Sequence, residues 1–158
     1  MIKNTTGKAH RLEWDGYLVL KDFQVDISSE TILSIAENTI QGVLKNFNDE
    51  QLIYLKERPE LLLDKLGIDF LIEYGGKRYA IDVTTSKRDG VISKLKKMSG
   101  RLNFFDALGA IPVLIRSPNG LIPDDIFNLI EASTFKGGVL DCRLDEDLRL
   151  IVPTHTSA

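Results

Sequence analysis

One cysteine, two histidines and one tryptophan stand among 158 residues, and each scarcity removes a class of chemistry. The single Cys142 excludes an internal disulfide framework and any cysteine-based zinc cluster. His10 and His155 lie near opposite ends, which argues against a histidine-rich metal centre or a His-centred triad. No apolar run approaches the roughly 18 residues that a membrane span needs. The first eight residues, Met-Ile-Lys-Asn-Thr-Thr-Gly-Lys, hold no apolar signal-peptide core, so the expected location is cytoplasmic. Repeats, low-complexity tracts and clear linkers are also missing.

What is present is an ordinary globular composition, 43% hydrophobic and 27% charged, long enough for one domain with a real core. The net charge of −3 is unevenly spread. Residues 1–76 balance to −5, residues 77–101 to +6 and residues 102–158 to −4. The central basic stretch holds Lys87, Lys94, Lys97 and Arg101. A run of cations beside carboxylates suits a phosphate-bearing ligand; the plainer reading is a solvated helix face.

The most informative stretch is Gly67–Thr84. Gly75-Gly76 between two apolar runs predicts a two-residue hairpin turn. Pairing Tyr74 with Lys77 sets the register: Glu73 faces Arg78, Leu71 faces Ala80 and Asp69 faces Asp82. On the other side Ile68 meets Val83, Phe70 meets Ile81 and Ile72 meets Tyr79. Facing Cβ atoms lie about 4.5–5.5 Å apart, a distance at which like charges repel. Two carboxylates held there invite a cation or a shifted pKa. Taken alone, Asp69 reads also as a strand-entrance cap. Asp82, set between Ile81 and Val83 in an apolar strand, is harder to explain structurally. Glu73 with Arg78 is most simply a cross-strand ion pair.

Residues 11–26 are rich in strand formers with partial alternation and predict one or two short strands, with Trp14 and Tyr17 as packing residues. Ser28 or Ser29 caps a helix expected to reach Phe47, and its apolar arc places Glu37 at the edge. Helical pattern continues over 49–65, with Pro59 opening its second piece. A helix over 90–108 buries Val91, Leu95, Met98, Leu102 and Phe105, with a bend or break open at Gly100. Gly109–Ser117 predicts a strand parallel to the second hairpin strand. A helix over 123–132 and strands from 138 and over 148–152 follow. The whole is an α/β fold with a mixed central sheet flanked by helices. Its core spans about 28–117, after an N-terminal strand extension over 11–26 and before C-terminal elements over 123–152.

Over residues 30–117 the sequence resembles the PD-(D/E)XK nuclease superfamily, the restriction-endonuclease-like fold. Gly67-Ile-Asp69 resembles the family's first acidic motif, Asp82-Val83-Thr84 its Asp/Glu-x-Lys motif, and Ala36-Glu37 its helical glutamate. The resemblance implies a helix, a strand meander, a helix and a strand. It implies Mg²⁺ (or Mn²⁺) held by Glu37, Asp69, Asp82 and the Val83 carbonyl, and hydrolysis of phosphodiester bonds, in DNA before RNA. Lys94, Lys97 and Arg101 would then contact the phosphate backbone. Thr84 stands where the family carries its catalytic lysine, and Lys87 and Lys94 are the nearest candidates to take that role. Two readings stay open: a nuclease of restriction, repair, recombination or mobile-element type, and a catalytically inactive nuclease-fold protein that binds nucleic acid or a partner protein. Self-association as a homodimer is a further expectation.

Overall fold

The computed structural model describes residues 7–40, 42–132, 138–141 and 149–151. Cys142 and His155 lie outside them. The first element is helix α1, Gly7–Leu20, where strands were expected. Leu12, Gly16 and Leu20 recur every fourth residue and form its buried stripe, so packing overrides the local strand preference of Trp14, Tyr17 and Val19. Gly16 is required by proximity: a Cβ there would stand 2.8 Å from the Phe70 ring. Of the predicted extension only Gln24 pairs as a strand, bridging to Ile72, and the Val25 N–H donates to the Leu71 carbonyl at 2.8 Å.

Helix α2, Ser29–Thr39, opens where expected, with the Ser28 hydroxyl accepting from the Thr31 N–H. It ends eight residues before Phe47. Gly42 then takes a left-handed conformation and a 3-10 turn covers Val43–Asn46. Helix α3, Asp49–Lys56, starts from a reciprocal Asn48–Gln51 capping box, and α4, Pro59–Lys65, starts on its proline.

The hairpin forms in the predicted register. Strand β1, Phe70–Tyr74, and β2, Lys77–Thr84, pair from Phe70↔Ile81 to Tyr74↔Lys77 around Gly75 and Gly76, both at positive φ. The expected Glu73–Arg78 ion pair is present at 3.6 Å. The crossover is two helices, α5, Arg88–Ser99, and α6, Leu102–Leu108, broken at Gly100. Strand β3, Ala110–Arg116, runs parallel to β2. Helix α7, Ile126–Ala132, precedes β4, Gly138–Asp141, parallel to β3, and β5, Arg149–Ile151, closes the order β1-β2-β3-β4-β5.

This is an α/β architecture with a mixed sheet flanked by helices. Leu71, Ala80 and Leu114 face one core with Ile32, Leu62 and Phe104. Phe70, Ile72, Ile81 and Val113 face the other with Leu12, Leu20 and Ile130. Ile68 joins the first core although its predicted partner Val83 joins the second, because the chain bends at Asp69 and leaves the ladder.

Candidate active site

At that bend the sequence's two acids come together. The turn out of α4 passes through Gly67 at φ +96°, and the Ile68 N–H bonds back to the Leu63 carbonyl at 2.9 Å. Asp69 follows. Its N–H donates to the Ile81 carbonyl at 2.8 Å, and its Oδ2 accepts from the Val83 N–H at 2.8 Å. The side chain thus takes over an amide that the regular ladder leaves at this point. Asp82 projects from β2 on the same face, and its carboxyl is close enough to exchange a hydrogen bond with Asp69.

Burial first, and then the Asp82 charge, push the Asp69 carboxyl well above the usual carboxylate range; Asp64 adds to this and the Val83 N–H opposes it. The pair is a site where one proton, or a cation in its place, relieves repulsion.

Lys94, in the second turn of α5, sets its Nζ 3.3 Å from Asp82 Oδ2. One turn further, Lys97 lines the same cavity and is exposed. Arg101 lines it too, with Nη1 donating to the Leu66 carbonyl at the end of α4, and its burial lowers the guanidinium pKa from its usual value. The cavity, about 380 Å³, also takes Val83 into its wall.

Three sequence-predicted positions fall elsewhere. Glu37 is exposed on α2 and does not line the cavity. The longer helix expected from the sequence drew Leu44 and Phe47 into the apolar arc. Once the helix ends at Thr39, the arc reduces to Ser29, Ile32 and Ala36 and Glu37 lies outside it. Thr84 is buried, its Oγ1 accepting from the Ser86 N–H at 3.0 Å and its carbonyl from the Ser117 N–H at 2.9 Å, so it shapes the turn after β2 and does not face the cavity. Lys87 holds the N-cap position of α5 without a side-chain capping bond, exposed and outside the cavity.

Two acids missed by the sequence reading line the cavity instead: Asp64 of α4 and Glu13 of α1. Glu13 directly follows Leu12 of the Leu12–Gly16–Leu20 stripe, a spacing that would have exposed it had the segment been read as a helix. Among the described residues no group of three or more His, Cys, Asp or Glu side chains is arranged to hold a metal ion. Asp69 and Asp82 alone still fit Mg²⁺, which binds through one or two carboxylates and keeps waters for substrate oxygens to replace.

Fold and site together make this a helix-flanked mixed-sheet α/β protein with a carboxylate–lysine cavity. Compared with family models, curated proteins and solved structures, the chain finds no match. No helix among the described residues is long and apolar enough to cross a membrane.

Proposed function

We propose that the protein is a metal-dependent nuclease of the PD-(D/E)XK type that cleaves phosphodiester bonds in DNA. The observation that carries this reading is the Lys94 ammonium 3.3 Å from Asp82, beside Asp69. The family's lysine has been lost from the strand at Thr84 and replaced in space from the following helix. The order of elements supports the reading once α2, α3 and α4 are taken as an insertion before the hairpin: helix α1, an extended edge at Gln24–Val25, the hairpin, the crossover helices and a parallel strand. On this alignment α1 is the family's leading helix, and Glu13 takes the place first given to Glu37.

Asp69 and Asp82 would hold Mg²⁺ or Mn²⁺. The bound ion would polarise a phosphoryl oxygen and acidify a water. Asp69 keeps its orientation through the Val83 N–H. Lys94 Nζ places a positive charge and proton donors where the phosphate gathers negative charge. Lys97 and Arg101 flank it on the helix side and hold the neighbouring phosphates.

The test is Mg²⁺- or Mn²⁺-dependent cleavage of plasmid and branched DNA. Asp82→Ala abolishes it, and Lys94→Ala reduces it by about 10²–10⁴-fold, the usual worth of a positioned acid–base group. A second reading has its own observation: the described residues offer no three-carboxylate cluster. It is a nuclease-fold protein that binds DNA without cutting it, and tight binding with no cleavage across metals and substrate shapes selects it.

A further inference from the structure

The same helix that sends Glu13 to the cavity carries a feature the cleavage reading leaves unused. Trp14 is 56% exposed and Tyr17 43% exposed, and their rings stack with centroids 5.6 Å apart and planes 24° from parallel. Packing residues, the role expected for them, would be covered. With Leu18, one turn from Trp14 and also exposed, the two rings form a patch of apolar surface, the feature that marks a contact site.

Their position on α1 is directional. At about 100° per residue, Tyr17 lies about 40° around the helix from Glu13, while Trp14 and the exposed Leu18 lie about 100° and 140° away in the same direction and Val19 about 120° away in the other. Tyr17 therefore lies on the flank next to the cavity-lining Glu13, and Trp14 stacks on its outer side. Arg11, one turn before Trp14, and Lys21, in the 3-10 turn that follows α1, are both exposed and flank the pair in sequence, with Asp15 between its two residues. Two near-parallel exposed rings with cations to either side, on the helix that borders the carboxylate–lysine cavity, offer an unpaired nucleobase a stacking surface. Stacking is open to any base, because every base has a π-face, and cations nearby take its phosphates.

We propose that Trp14 and Tyr17 form a stacking platform for an unpaired base next to the scissile phosphate, so that the substrate is DNA with a single-stranded portion, such as a flap, fork or overhang. The placement of the scissile phosphate rests on the nuclease reading; the platform itself does not.

Trp14 is the only tryptophan in the chain, so its fluorescence reports the platform directly. The experiment titrates full-length protein, wild type and Asp82→Ala, with oligothymidylate and with a blunt duplex, following Trp14 emission. Oligothymidylate quenches it in both proteins and the duplex leaves it unchanged. Tyr17→Ala weakens oligothymidylate binding on the order of tenfold, and Trp14→Phe restores most of the affinity that Trp14→Ala loses. Both positions are exposed, so the variants test binding and not folding. Quenching without any cleavage keeps the platform and removes the nuclease reading. Cleavage with no quenching, and no preference for forked over blunt substrate in wild type or Trp14→Ala, overturns the platform and keeps the nuclease. Emission that shifts with protein concentration alone, together with a dimer in sedimentation that Trp14→Ala dissolves, also overturns it, since the pair then covers a second copy of the chain.

Discussion

Asp69 is placed where ionisation is unfavourable and where one backbone N–H keeps the side chain in position. Its native pKa is raised above the unfolded value, so between the two values the folded chain holds a proton that the unfolded chain has released. Stability from this group is therefore full below the unfolded pKa and declines as pH rises through the native one. Asp69→Asn keeps an oxygen to accept from Val83 and removes the charge. Its melting temperature should exceed that of wild type near pH 7 and lose that advantage near pH 4, while cleavage is lost at both. A thermal melt series in pH checks the sign. A gain at pH 4 as large as at pH 7 would show that the burial of Asp69 carries no electrostatic cost. Lys94 is the complementary case: Asp82 offers it a short ion pair at a partly exposed position, where such a pair adds little to stability. Its removal should cost activity far more than folding.

At the scale of elements, the hairpin was legible because its information is local. Two glycines fix the turn, alternation fixes the faces, and the acids follow by register. The break at Gly100 and the parallel strand after the crossover were legible for the same reason. Helix α1 was not, since its strand-forming residues sit on its outer surface and its identity is set by a remote partner. That partner is Phe70, which Gly16 lets approach. Gly16→Val, with branching directly against the ring, should destabilise the protein by about 1–3 kcal/mol, the range for overpacking a filled contact. Denaturant titration measures it. The same change should lower cleavage beyond its effect on stability, because α1 also places Glu13. The misplacement of Glu37 has the same origin, for the helix end at Thr39 is a tertiary fact that moved the centre of a wheel drawn on the sequence.

At the scale of the molecule, the net charge of −3 argues against indiscriminate adhesion to nucleic acid. On the nuclease reading, attraction to DNA is concentrated in the α5–α6 segment, where Lys94, Lys97 and Arg101 reach the cavity. If each of the three holds one phosphate, the log–log salt slope should be about −2.7 for duplex DNA. Lys97 is exposed and has no structural duty in the described contacts, so Lys97→Ala should make that slope shallower by about 1 and leave the melting temperature unchanged. An unchanged slope would remove Lys97 from the interface. The acids and the cations of the site thus answer to different measurements, one to pH and the other to salt.

The cavity draws on α1, the end of α4 and the turn after it, strand β2 and the crossover helices, from residue 13 to residue 105. No short segment contains it, and its closing contacts join parts of the chain far apart in sequence, the kind that form late because loop closure must come first. During synthesis or refolding the hairpin can pair its two aspartates well before Lys94 or Glu13 arrives. Competence to act is thereby a property of the finished molecule, and a partly folded chain exposes its carboxylates without the machinery to use them.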